Sequence, residues 1–198
     1  MKNLESIEQL IDSFEKLPSI GHRTAERLAY AVIDLPDEDI QELSKNLINV
    51  KNKVHTCPNC GMFTDKEICN ICSDSDRISD TLIVVSNTKN ALSIENTTQK
   101  YKYHVLNGDI SLLKNITPDK LNIDSLLLRI SKENIKEIIL ATNPTIEGET
   151  TAQYIAKLLQ EYDVTVSRLA TGLPIGGEIE YLDSLTIDRA ISGRTKIK

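Results

Sequence analysis

The sequence contains no apolar run approaching about 18 residues, the span an apolar helix needs to cross a bilayer, so no membrane-spanning segment is expected. Its first ten residues, MKNLESIEQL, carry Glu5 and Glu8 and lack the apolar stretch of an export signal, which points to a cytoplasmic protein. A G-x-x-x-x-G-K-[ST] phosphate cradle is missing, so ATPase activity is not expected. Positive charge is also short: 23 Lys and Arg face 29 Asp and Glu, a net charge of −6. An acidic chain sets up no general field toward DNA or anionic membranes, so nucleic-acid binding must be local or built from several copies of one basic patch. No internal repeat and no low-complexity linker interrupts the chain. Its 198 residues, 40% hydrophobic, are enough for a sizeable core in one large domain or two small ones.

Cysteine is scarce, yet all four copies fall in residues 57–72, CPNCGMFTDKEICNIC. Cys57 and Cys60 form one Cys-x2-Cys pair, and Cys69 and Cys72 form another. Each pair can sit on a tight turn with both sulfurs aimed at one ion. Four thiolates complete a tetrahedral zinc shell and leave no position for water, so such an ion holds the chain rather than doing chemistry. Pro58 and Gly61 suit the knuckle, one by fixing φ and the other by tolerating positive φ. Three other readings compete. Paired disulfides lack the export signal they need. A thioredoxin-like motif uses one such pair beside a strand, not two. An iron-sulfur cluster shares the four-cysteine donor set, and sequence does not name the metal. The expected cofactor is one structural Zn2+ per chain, whose removal unfolds the segment, since structural zinc contributes on the order of 10 kcal/mol to folding.

Hydrophobic periodicity differs on the two sides of the cysteines. Before them, Leu4, Ile7, Ile11 and Phe14 recur at helical spacing up to Leu17 and Pro18. Ala25, Leu28, Ala29 and Val32 mark a second helix. Ile40, Leu43, Leu47, Val50 and Val54 mark a third, entered through Pro36 and the acidic turn Asp37, Glu38 and Asp39. After the cysteines, the runs at 82–85, 103–106, 138–141 and 164–166 are short and mostly apolar or β-branched, as buried parallel strands are. Helical patterns at 126–130 and at Ala152, Ile155, Leu159 and Tyr162 lie between them, which predicts a parallel sheet covered on both faces. Residues 172–198 have weak periodicity.

The stretch LPSIGHRTAERLA, 17–29, has the layout of a helix-hairpin-helix, with Gly21 in the hairpin and Arg23 and Thr24 in the first turn of the second helix. Backbone N–H groups at such a helix start, helped by nearby guanidinium groups, suit a DNA phosphate. Contacts of that kind position DNA without reading its sequence. An ordinary turn between packed helices is the plainer reading. Residues 1–56 hold seven Lys or Arg against ten Asp or Glu, so one copy should bind weakly.

Taken in order, the hairpin, the four-cysteine finger, the stretch LATNPTIEGE (140–149) and the stretch GLPIGGE (172–178) resemble the RecR recombination-mediator family over essentially the whole chain. The resemblance implies an α+β multidomain protein. Its parts are a helix-hairpin-helix DNA-binding segment at 1–56, a four-cysteine zinc finger at 57–80, a Toprim-like α/β domain with a parallel sheet at 81–175, and a C-terminal oligomerisation segment at 176–198. It further implies a ring-like homo-oligomer that encircles single- or double-stranded DNA, nucleoid-associated in the cytoplasm, with no membrane partner. RecO-type and RecF-type mediator proteins are the implied partners. The implied task is to load a RecA-type recombinase on single-stranded DNA coated by single-strand binding protein. Arg23, Arg27 and Gly21 match the family's DNA-binding positions, Cys57, Cys60, Cys69 and Cys72 match its zinc ligands, and Ser19 replaces the first hairpin glycine.

Catalytic Toprim members hold Mg2+ with a glutamate after the first strand and an Asp-x-Asp after a later one, because the ion needs clustered anionic oxygens. Here Ser86 and Asn87 follow the first strand, and Asn143, Pro144 and Thr145 occupy the Asp-x-Asp position, so phosphoryl-transfer chemistry is not expected. Glu147 and Glu149 stay acidic beside that site. They read either as helix N-terminal acids or, by the resemblance, as a docking surface for a basic partner or a weak metal site. Residues 176–183 have been likened to a Walker B strand, and a turn followed by a subunit-contact strand is expected there. The alternative to a DNA clamp is a zinc-containing protein-interaction scaffold that does not engage DNA.

Overall fold

The computed structural model describes residues 4–170 and 172–196 and consists of two compact units that meet in sequence at Val54 and His55. Residues 1–3, 171 and 197–198 of the expected segments lie outside the described residues.

The first unit is helical. Helix α1 (Glu5–Glu15) stops ahead of Pro18, and α2 (His22–Ile33) starts after the hairpin. Helix α3 (Asp37–Lys53) follows Pro36, with Asp37, Glu38 and Asp39 in its first turn and Lys51 and Lys53 in its last, so both ends complement the helix dipole. Helices α1 and α2 bury Ile11 against Ala25 and Ala29, and the small alanines let the helices approach closely; Ile7, Leu10, Phe14 and Ile20 surround that centre. Helix α3 buries none of its residues. The stripe of Leu43, Leu47 and Val50 is present, as its spacing predicts, but nothing among the described residues covers it.

In the second unit, strands β1 (His55–Thr56) and β2 (Phe63–Thr64) form a small antiparallel ladder around the first cysteine pair, and helix α4 (Asn70–Ser73) carries Cys72 of the second pair. Then come β3 (Ile78–Val85), α5 (Thr88–Glu95), β4 (Tyr101–Val105), α6 (Ile123–Lys132), β5 (Glu137–Leu140), α7 (Ile146–Leu158) and β6 (Thr165–Arg168). The four longer strands make a parallel sheet in the order β4-β3-β5-β6. All four runs read as strands in the sequence are in it. Alternation along β3 separates the two faces. Leu82 and Val84 join Leu126, Ile138, Leu140 and Ile155 under α6 and α7. Ile83 and Val85 join Tyr103, Val105 and Ala91 on the other face, together with Cys57, Cys60 and Cys69. The cysteine segment is therefore part of the sheet's core rather than a separate body.

The C-terminal expectation needs correction. Ile179–Tyr181 is a 3-10 turn, not a subunit-contact strand, and Ser184–Ser192 is a helix, α8. The Asp183 carboxylate accepts the Thr186 N–H at 2.9 Å, an N-cap that starts a helix directly after the stretch in which the strand was expected.

Candidate zinc centre, sheet edge and nucleic-acid interface

The four Sγ atoms of Cys57, Cys60, Cys69 and Cys72 all lie within 4.8 Å of one another. Cys60 and Cys69 sulfurs are 3.5 Å apart, too far for a disulfide and close to the roughly 3.8 Å edge of a tetrahedron with Zn–S bonds of about 2.3 Å. The donor set is all sulfur, closed and mostly buried, which fits one structural Zn2+. Each pair is shaped by backbone. In the first knuckle the Cys57 N–H donates to Met62 O and the Gly61 N–H to Cys57 O. In the second, Cys69 precedes α4 and its sulfur accepts the Cys72 N–H. The Cys72 thiol is lowered to about 6, first by hydrogen bonding with Cys60 and, less strongly, by the positive charge of Arg129; Cys60 is pushed up in return.

The knuckle is anchored to the sheet at β4, where the Val105 N–H donates to Cys60 O at 2.7 Å. Gly61 has φ +76, and a Cβ there would come within 2.7 Å of Val105 O and 2.8 Å of Asn122 Nδ2. Glycine is required at this point by backbone angle and by close approach together.

At the carboxyl edge of the sheet, where ligands of open parallel sheets bind, the side chains bond to one another. Ser86 Oγ donates to Asp109 Oδ1 at 2.6 Å. Asn87 caps α5, and Asn90 Nδ2 donates to Asn143 Oδ1 at 3.2 Å. Thr145 caps α7, whose first turn holds Glu147 and Glu149. A Cβ on Gly148 would meet Asn143 O at 2.1 Å, so the turn and the helix start are locked together. The two glutamates differ. Glu149 Oε1 pairs with Arg168 Nη2 at 3.1 Å, and Arg168 also donates to Leu140 O and Asn143 O. Glu147 has no side-chain partner among the described residues. The only His, Cys, Asp and Glu cluster with metal-ligand geometry among the described residues is the four-cysteine one. Asp109, Asn90 and Arg168 were not singled out by sequence, because only the tertiary fold brings them to this edge.

In the hairpin, Ser19 adopts φ +67, the left-handed conformation that glycine accommodates best, whereas Gly21 is extended at φ −93 and faces open space. The Gly21 carbonyl accepts from Thr24 and Ala25, and no side chain caps the start of α2. Arg23 and Arg27, one turn apart on α2, are both exposed. His22 Nδ1 sits 2.8 Å from Glu15 Oε1. The chain thus presents an uncapped, accessible helix start with two guanidinium groups beside it.

A parallel Toprim sheet with a four-thiolate zinc finger in its core, in a chain that also has a helix-hairpin-helix, defines a class of zinc-bearing proteins of DNA metabolism. The chain matches known families segment by segment: the RecR helix-hairpin-helix family over residues 7–51, the RecR four-cysteine zinc finger domain over 54–74, the Toprim domain over 80–170 and the RecR C-terminal family over 172–195. Recombination protein RecR of Lactobacillus acidophilus is 46% identical over 193 residues, covering 96% of this chain and 97% of the relative. The RecR proteins of Lactobacillus helveticus and Staphylococcus saprophyticus are each 45% identical, over 96% and 98% of this chain and 97% and 98% of their own lengths. The chain belongs to the RecR family of recombination proteins.

Proposed function

We propose that the protein is a non-catalytic mediator of recombinational DNA repair, which engages DNA through Gly21, Arg23 and Arg27 and helps a RecO-type partner load a RecA-type recombinase on single-stranded DNA coated by single-strand binding protein. The observation that carries this reading is the uncapped start of α2, with two exposed arginines one turn apart, in a chain of the RecR family. Free N–H groups and guanidinium groups converge there as a phosphate requires, with no base-reading element beside them. The four cysteines act as the zinc ligands and keep the knuckle on the sheet.

Lack of catalysis is supported by the edge residues. Ser86, Asn87 and Asn143 are neutral where Mg2+ chemistry needs carboxylates, and the Arg168 guanidinium already occupies the Glu149 carboxylate. Of the two proposed docking acids, Glu147 is free to meet a basic partner, and Glu149 does so only by giving up Arg168. A homo-oligomer is supported by the bare apolar stripe of α3 and by Ile175, Ile179, Tyr181 and Leu185 in the C-terminal segment, all exposed within one chain. Among the described residues no helix is long and apolar enough to cross a membrane.

The acid excess of residues 1–56 favours a second reading, a zinc-containing scaffold that binds proteins and leaves DNA alone. A gel shift of wild type against the Arg23→Ala, Arg27→Ala double variant at two salt concentrations separates the two. The mediator reading expects weak, salt-sensitive binding that falls at least about tenfold in the double variant. Equal binding by the two proteins overturns it.

A further inference from the structure

Helix α6 buries Ile123, Leu126 and Ile130, as an amphipathic helix on a sheet should, and among them it also buries Arg129. The Arg129 side chain is 6% exposed, and a buried guanidinium persists only where negative charge and acceptors surround it. Its visible partners are Glu133, with Nε to Oε1 at 2.7 Å, and the Tyr103 carbonyl of β4, with Nη1 to O at 2.7 Å. Glu133 is 35% exposed, so its carboxylate is hydrated and compensates only part of the buried charge.

The cysteine finger lies on the other side of Arg129. Arg129 lines a cleft of about 250 Å3 together with Pro58 and Asn59, the two residues between Cys57 and Cys60, and with Lys132 and Glu133 of its own helix. Tyr103, whose carbonyl it holds, packs in one cluster with Cys57, Cys60 and Cys69. A Zn2+ ion held by four thiolates carries roughly two net negative charges, which the protein must offset where water is excluded. The other buried arginine near the finger, Arg77, is already engaged by Asp74 and Glu95.

We propose that Arg129 is the counter-charge of the zinc centre, a positioning residue that retains the ion by its charge while its bond to Tyr103 O holds α6 on β4 beside the first knuckle. An arginine suits this place because its planar fork reaches Glu133 and the β4 carbonyl in two directions while it stays charged. The proposal rests on the presence of zinc, and zinc content is measured first. Wild type purified under reducing conditions is expected to carry one zinc per chain, and a metal-free wild type overturns the zinc centre and this proposal with it.

The test then follows zinc release to a colorimetric chelator at neutral pH in wild type, Arg129→Met, Arg129→Lys and Glu133→Gln. Arg129→Met is expected to release zinc about ten times faster or more, the usual scale for residues that support metal ligands. Arg129→Lys keeps the charge and loses the fork, so it is expected to melt earlier while releasing zinc close to the wild-type rate. Glu133→Gln, which removes a competing anion, is expected to hold zinc at least as well as wild type. A wild-type release rate in Arg129→Met overturns the proposal. So does zinc loss in Arg129→Lys or Glu133→Gln in step with lost stability, since the arginine would then be only a tie between helix and sheet. If Arg129→Met does not fold, the Lys and Gln variants decide the matter by the same criteria.

Discussion

The two units of this chain solve the burial problem in different ways. The unit ending at Val54 has a centre of only Ile11, Ala25 and Ala29 and leaves α3 bare. The unit beginning at His55 has two apolar layers, one on each sheet face, and closes the second with a metal knuckle. A segment of some fifty residues buries too small a fraction of its surface to be strongly stable alone, whereas a covered parallel sheet with a structural zinc is well above that limit. The difference teaches that the unit proposed to touch DNA is the one with the smaller apolar centre of its own.

The largest test of this contrast removes the metal. Cys57→Ala, or chelation of the wild type, withdraws zinc binding worth on the order of 10 kcal/mol, and should melt the second unit while the α1–α2 pair keeps its helical circular dichroism. Simultaneous collapse of both units would erase the distinction drawn here.

Acid gives a smaller effect confined to the same unit. Burial pushes the His104 imidazole down to about 4, with Nε2 bonded to Asn122 O at 2.7 Å and Nδ1 without a partner among the described residues. The unfolded chain takes up that proton near its ordinary value of about 6.5 and the folded chain only near 4, so stability is whole above that window and falls through it as pH drops, by roughly 3 kcal/mol. His104→Gln should flatten the slope of denaturation midpoint against pH between about 6.5 and 4; an unchanged slope would assign the acid sensitivity elsewhere.

On the helical side the effects shrink. Ser19→Gly relieves a left-handed serine and should stabilise the first unit by about 0.5–1 kcal/mol after the entropy of the added glycine, read as a higher melting temperature with the zinc unit unaltered. Leu47→Glu with Val50→Glu should change folding by less than about 0.5 kcal/mol, because both positions are exposed within the chain. The same pair should shift sedimentation toward smaller species if the stripe of α3 is where copies meet; unchanged sedimentation would remove that stripe from the assembly.

How far these features could be read beforehand depended on where their cause lies. The four strands were legible because a strand buried on both faces is a continuous apolar run, as Leu82 to Val85 shows, and such runs do not depend on distant partners. The cysteine pairs were legible because spacing alone brings two sulfurs onto one turn. The hairpin was legible as a pattern, and Ser19, which stands where the resemblance places a glycine, is the residue that takes the positive φ, whereas Gly21 is extended. The C-terminal helix at Ser184–Ser192 was not legible, because the periodicity of residues 172–198 is weak and its start is marked only by the Asp183 cap. Asp109, Arg168 and Arg129 could not be read at all: each acquires its role from a residue at least 19 positions away, and neither charge nor spacing announces such a meeting.

The bond between the Val105 N–H and the Cys60 carbonyl has one more consequence. In the order β4-β3-β5-β6, β4 is an outermost strand, and an outermost strand offers its unpaired amides to any other extended chain. The knuckle takes the Val105 amide of that border. Loss of zinc from this protein would therefore uncover a template for strand addition, and the first sign of metal starvation would be insoluble, self-associated chain rather than dispersed unfolded chain.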